Sequence, residues 1–261
     1  MQGPLAGARI RHTIASLTAQ TPLLKQYFQT KEAYPGVLMA MRVGDFYEFY
    51  GEDAETAATA LEITLTGRED GSNGRIPMAG VPFHSVEKYL ARLVKSGHRV
   101  ALCDQVEDPK LAKGLVKREV TRVLSAGTLM DDSMLESSSN NFLAAISISD
   151  GKAGLATLDP STGEFLVTEL EGEHLAERIL QELARLRPSE LLVTDEGEEV
   201  GKIANEGLGI ALNDSESQSP DRAERQLKKQ FDVKNLQGFG LDGKRDAVAA
   251  ASMVLDYATN N

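Results

Sequence analysis

The chain is short of most residues that mark a chemical centre. Cysteine occurs once, as Cys103, which excludes an intramolecular disulfide and any zinc site built on several thiolates. The four histidines, His12, His84, His98 and His174, fall at no metal-ligand spacing and read as surface or loop residues. Tryptophan is absent, and aromatic residues make up only 5% of the chain. No apolar run approaches the roughly 18 residues that a membrane span needs. The opening MQGPLAGARIRHTIASLTAQ has no continuous apolar core, so it does not read as a secretory leader. A cytoplasmic protein, associated with the nucleoid if it meets DNA and with no membrane partner, is the expectation. Positive charge is also in deficit: the formal net charge is −11, which by itself argues against a nucleic-acid binder.

What is present fits a globular protein. With 261 residues, 41% hydrophobic and 26% charged, the chain can form one large or two ordinary domains. The charge is unevenly placed. Residues 1–125 hold 16 Lys+Arg against 14 Asp+Glu, a net of +2, while the remainder holds 12 against 25, a net of −13. Screening confines exposed charges to about 10 Å at ordinary salt, so an acidic second half leaves the first half free to meet phosphates.

The pattern divides the chain further. Residues 1–20 are weakly patterned and expected to be flexible. Thr21 before Pro22 is an N-cap signal, and Leu24, Tyr27 and Phe28 then share a helical face that Pro35-Gly36 ends. Val37–Val43 is an apolar run bounded by turn signals and predicts a buried strand. DAETAATAL predicts a helix with acidic residues in its first turn. ITLTGR reads as a strand from Ile63, and IPMAGVPFHS, with two prolines, as irregular. Ser85 is placed as the N-cap of SVEKYLARLVKSG, and HRVALCDQ and REVTRVLSAGTLM read as strands. The serine-rich DDSMLESSSNN is the best boundary, so the expected division is 21–128, a linker at 129–141, and 142–261. After it, FLAAISIS, LATLDP and EFLVTEL with tight turns predict an antiparallel meander. HLAERILQELARL then crosses to the strand ELLVTD. Two α/β domains follow from this order.

Two catalytic readings are weighed against simpler ones. GFGLDGKR matches G-x-x-x-x-G-K, but Arg245 stands where a magnesium-binding Ser/Thr is needed and no apolar strand precedes it; it reads as a turn before a helix. Asp150, Asp159, Glu164 and Asp195 could supply a two-metal nuclease, yet Asp150-Gly151 and Asp159-Pro160 are turn signals in their own right. The nuclease remains a rival reading.

The informative stretch is GDFYEFYGEDA. Four aromatics, Phe46, Tyr47, Phe49 and Tyr50, fall within five positions around Glu48. Strand alternation puts Phe46 and Glu48 on the face opposite Tyr47. A ring beside a carboxylate is a poor core pair, because burying an unpaired carboxylate is costly. It suits a DNA base: a ring can wedge between base pairs and kink the duplex, and a carboxyl group can bond the displaced base edge.

On GDFYEFYGEDA, then PMAGVPFHSVEKYLARLVKSGHRVALCDQVEDP, VKREVTRVLSAGTL, NFLAAISISDGKAGLATLDPSTGEF and GFGLDGKRDAVAAASMVLDYA, in that order, the sequence resembles the MutS family of DNA mismatch recognition proteins. The resemblance implies a mixed-sheet α/β mismatch-binding domain followed by a ribonuclease-H-like connector domain without nuclease activity. It implies that Phe46 is the wedge of a Phe-x-Glu motif and that Glu48 bonds the mispaired base. PMAGVPFH, with Met78 and Pro82, is implied as a loop contacting DNA, with Arg68, Arg75 and His84 as phosphate contacts. Mismatched double-stranded DNA and, through the connector, a MutL-type protein are the implied partners. The family's ATPase, with its ATP and Mg, lies in domains beyond this sequence, so no cofactor and no enzyme activity are expected in this chain. A piece of a longer protein that dimerises when whole, and a monomer as it stands, is the expectation. The rival is a standalone interaction module that holds a repair partner.

Overall fold

The computed structural model describes residues 21–71, 74–107, 114–129, 140–216 and 218–261. The expected flexible segment at residues 1–20 and most of the expected linker lie outside the described residues. The chain forms two compact units, which divide between Leu124 and Ser125.

The first unit is a six-stranded mixed sheet in the order β3-β4-β2-β1-β5-β6. Its strands are β1 (Leu38–Val43), β2 (Phe46–Tyr50), β3 (Thr66–Glu69), β4 (Arg75–Pro82), β5 (Val100–Gln105) and β6 (Arg118–Leu124). Only β1 and β5 pair in parallel. The strand β1, LMAMRV, is apolar at both parities because both its faces are covered. On one face α1 (Pro22–Lys31) buries Leu24, Tyr27 and Phe28 over Met39, Met41, Tyr50 and Cys103. α2 (Glu52–Leu61) packs on β2 and β4 and against α3 (Val86–Lys95).

Two local expectations are corrected. The strand expected from Ile63 begins at Thr66. IPMAGVPFHS is not irregular: residues 75–82 form β4, the strand between β3 and β2, and only Phe83–Ser85 form a 3-10 turn. Its prolines are tolerated because both stand at the limits of the β2 ladder. The last β2 pair is Tyr50↔Met78, one residue short of Pro77, and Pro82 closes the other end opposite Phe46. Ser85 occupies the N-cap of α3 without a side-chain capping bond.

Asp53 is a first-turn acid of α2 as expected, and it is also buried. It pairs with Lys31 Nζ at 2.8 Å and accepts from the Met39 N–H and the Tyr27 hydroxyl, both at 2.9 Å. This ties α1, α2 and β1 to one carboxylate.

The second unit carries the order β11-β10-β7-β8-β9. The expected meander is β7 (Leu143–Ser149), β8 (Lys152–Asp159) and β9 (Glu164–Glu171), and β10 (Glu190–Val193) returns parallel to β7 after α4 (Leu175–Leu186). α5 (Glu198–Leu208) and β11 (Ala211–Asp214), parallel to β10, add a crossover unit that the sequence reading leaves unassigned. α4 and α5 cover one face, and α6 (Pro220–Gln230) and α7 (Arg245–Asn260) the other. An antiparallel triplet extended by two parallel strands between helical layers is the ribonuclease-H-like arrangement. Gly154 makes the close packing of α7 possible: a Cβ there would lie 2.0 Å from the Asp246 carbonyl oxygen.

Candidate nucleic-acid interface

The hairpin of β1 and β2 turns on two residues. Val43 pairs with Phe46, leaving Gly44 and Asp45 as the loop. Gly44 takes φ +58 while Asp45 has no positive φ, the pattern of a type II′ turn, which demands glycine first. The Gly-Asp that opens the aromatic stretch is therefore turn chemistry. Two bonds brace the turn: the Phe83 N–H donates to Asp45 O at 2.9 Å, and Arg118 Nε donates to Arg42 O at 2.6 Å. The Arg42 guanidinium lies 3.3 Å from the centroid of the Phe83 ring.

Alternation then sorts the aromatics. Tyr47 and Phe49 are buried on one face, and the Tyr47 hydroxyl donates to Asp104 at 2.5 Å. On the other face stand Phe46, Glu48 and Tyr50. Tyr50 is buried under α1, edge-on to Tyr27 with centroids 4.9 Å apart. Phe46, beyond the reach of α1, is 48% exposed and stacks on no described ring. Glu48 lies between them with its side chain 13% exposed.

Glu48 is not a bare carboxylate. Arg68 Nη1 donates to its Oε2 at 2.7 Å and the Tyr50 hydroxyl donates to the same oxygen. Arg68 Nη1 also reaches the Tyr50 hydroxyl at 2.9 Å. Burial first, then the bond to Glu48, pushes the Tyr50 hydroxyl well above the usual tyrosine value, so it stays a donor. Buried Arg118 nearby is held below the usual arginine value, chiefly by loss of hydration.

The remaining sequence candidates spread over β3, β4 and the turn after them. Pro82 pairs with Phe46, Gly80 with Glu48, Met78 with Tyr50 and Thr66, and Ile76 with Arg68. Phe46, Glu48, Met78, Pro82 and Arg68 thus share a face. A Cβ at Gly80 would sit 3.8 Å from Glu48 Cγ and 3.9 Å from Phe46 Cδ1, so glycine keeps the surface flat beside both. Arg75 stands on the opposite face at the far end of β4, about 23 Å from Pro82 at about 3.3 Å per residue, and donates to Gly67 O. His84 lies in the 3-10 turn beyond Pro82 and is exposed. PMAGVPFH is therefore strand floor and turn rather than a free loop. Sequence reasoning missed the parts of Tyr50 and Gly80. For Tyr50 the signal was present, since it follows Glu48 by two positions on one strand.

The acidic candidates of the second unit do not gather as a set of four: Asp159 and Glu164 are cross-strand partners at one end of β8, and Asp150 lies at the other. Asp150 holds the β7–β8 turn at φ +45, Glu164 accepts from Asn140 at 2.8 Å, and Asp195 opens a 3-10 turn after β10. Asp159 is buried; burial alone would raise its carboxyl, but bonds from Ser161, Asn141 and Thr162 together bring it below the usual carboxylate value. Among the described residues no group of three His, Cys, Asp or Glu could hold a metal ion. Lys244 of GFGLDGKR caps α7 after a 3-10 turn, with no strand before it. No helix among the described residues is long and apolar enough to cross a membrane.

Fold and surface together define a two-unit α/β protein with an exposed ring and an anchored carboxylate on one face of its first sheet. The family model for MutS domain I matches residues 21–133 and that for MutS domain II matches residues 141–261. The DNA mismatch repair protein MutS of Symbiobacterium thermophilum is 43% identical over 242 residues, covering 91% of this chain and 28% of that protein. That of Syntrophobacter fumaroxidans is 46% identical over 250 residues (92% and 27%), and that of Desulforamulus reducens 51% over 177 residues (67% and 20%). The chain belongs to the MutS family and carries its first two domains. It spans little more than a quarter of the length of the relatives it matches.

Proposed function

We propose that the first unit senses mispaired steps in double-stranded DNA. Phe46 enters from the minor groove and stacks on a mispaired base, while Glu48 accepts a hydrogen bond from that base. The supporting observation is the half-exposed Phe46 ring, without an aromatic partner among the described residues, on the same strand face as Glu48. A wedge selects the steps that stack least well, because opening them costs least. Met78 and Pro82 supply the floor beside the wedge, and His84 meets phosphates further out; Arg75, on the opposite face and bonded to Gly67 O, stays out of this contact. The second unit serves as the connector that receives a MutL-type protein, without nuclease chemistry of its own. Neither unit takes a cofactor; ATP and Mg belong to the ATPase of the whole protein, through which it dimerises.

The test is a competition assay at low salt, where phosphate contacts are strongest. A labelled duplex with one G·T mispair is displaced by unlabelled mispaired or paired duplex. Mispaired competitor should act at lower concentration, and Glu48→Ala should narrow that gap more than it weakens overall affinity. Equal competition by both duplexes in the unaltered protein would sink the reading.

A further inference from the structure

The carboxylate of Glu48 is held asymmetrically. Its Oε2 accepts both from Arg68 Nη1, at 2.7 Å, and from the Tyr50 hydroxyl. Its Oε1 accepts from no described residue. The oxygens therefore differ in what they have left to do. One is anchored by a cation and a hydroxyl, and the other is left without a partner among the described residues, on a side chain whose stem stands with Phe46 beside Gly80.

This has a chemical consequence. An ionised carboxylate is acceptor-only, whereas a protonated one also donates. Arg68 and Tyr50 both donate to Oε2, so the lone pairs of Oε1 are what the carboxylate has left to offer a donor. Other titratable groups stand close by. Cys103 on β5 and Arg118 on β6 couple to the same cluster, while the ladder neighbours Met41 and Gly80 bring none. On α1, Lys31 and the Tyr27 hydroxyl are committed to Asp53.

Resting on the mispair-sensing reading, we propose that Arg68 and Tyr50 are positioning residues that make Glu48 a selective acceptor, so that the site prefers displaced bases presenting a ring N–H over bases presenting only a bare ring nitrogen. Arg68 is thereby assigned to the carboxylate rather than to a phosphate. Tyr50 fixes the rotamer from its own strand, and Arg68 supplies the charge from β3. The unpartnered Oε1 is the atom offered to the base.

The test compares two duplexes that differ at one atom. One carries a single unpaired thymine, whose N3–H is a donor; the other carries 3-methylthymine, whose donor is blocked. Affinities are measured by fluorescence anisotropy, with fully paired duplex as reference. The unaltered protein should prefer the unmodified thymine by about 5-fold or more, the value of one hydrogen bond of about 1 kcal/mol. Arg68→Met should lose most of that preference. Arg68→Lys, which keeps a donor and the charge, should restore part of it, and Tyr50→Phe should fall between. A merely structural role for Arg68 would lower affinity for all three duplexes alike and leave the ratio of thymine to 3-methylthymine unchanged, and would overturn the proposal. An Arg68→Met protein with unchanged affinities and an unchanged ratio would overturn it too, while leaving mispair sensing intact. If the unaltered protein failed to prefer unpaired thymine over fully paired DNA, the underlying reading itself would fall.

Discussion

Replacing Phe46 with alanine separates stability from recognition. The ring is 48% exposed, so about half of its area packs on the protein. Half of a phenylalanine of about 200 Å² is about 100 Å². At about 25 cal/mol per Å² that is about 2.5 kcal/mol, and alanine retains part of it, leaving a stability cost of about 1–2 kcal/mol. Phe49, three positions on and fully buried, should cost about 3–5 kcal/mol on the same truncation. Recognition should run in the opposite order. Stacking a base on an aromatic ring is worth about 1–3 kcal/mol, so loss of Phe46 should reduce preference for mispaired duplex by about 5- to 150-fold. Urea melts give the first quantity. Anisotropy titrations with mispaired and paired duplexes of one sequence give the second. A Phe46→Ala protein that keeps its ratio of mispaired to paired affinity would refute the wedge. One that loses stability as heavily as Phe49→Ala would refute the claim that the ring stands outside the core.

Three further outcomes follow from packing and charge. Gly154→Ala should prevent native packing of α7 on β8, at about 3 kcal/mol or more, because its Cβ would meet backbone 2.0 Å away; an unchanged thermal melt would contradict that contact. Burial pushes the Cys103 thiol up to about 12, so the stability it contributes is complete below the unfolded thiol's value of about 8.5 and is lost as pH rises towards the folded one. Between pH 7.5 and pH 10 the unaltered protein should therefore lose more stability in urea melts than Cys103→Ala, and parallel losses would count against it. Lys31→Met leaves Asp53 charged and buried and should cost about 3–5 kcal/mol, whereas Lys31→Met with Asp53→Asn should recover part of that; a double variant no better than the single one would show that the pair is not coupled.

Legibility in the sequence followed the range of the interactions involved. The two faces of β2, the meander and the crossover through α4 were readable, because alternation and turn residues are local signals. The strand β4 was not. Pro77 and Pro82 look like breakers until the register shows that they fall at the limits of the β2 ladder, and register is a pairing between distant segments. Asp53 carried a first-turn signature that was true of its helix but silent about Lys31 and Met39. Phe46 and Glu48 could be proposed from alternation, while the Arg68 that holds Glu48 is twenty residues away on another strand. α5 and β11 were passed over although Gly209, at φ +71, supplies a helix stop between them.

The hairpin also sets which kinds of genetic change the surface can absorb. Phe46, Glu48 and Tyr50 occupy alternate positions on five residues of strand. A missense change touches one of them and leaves the other two in place. Loss or gain of a single codon that slips β2 by one residue exchanges its faces entirely, sending Tyr47 and Phe49 outward and the whole set inward. In a mutational scan of residues 44–50, substitutions should produce a graded series of phenotypes, while one-residue insertions and deletions should behave as a uniform class of nulls.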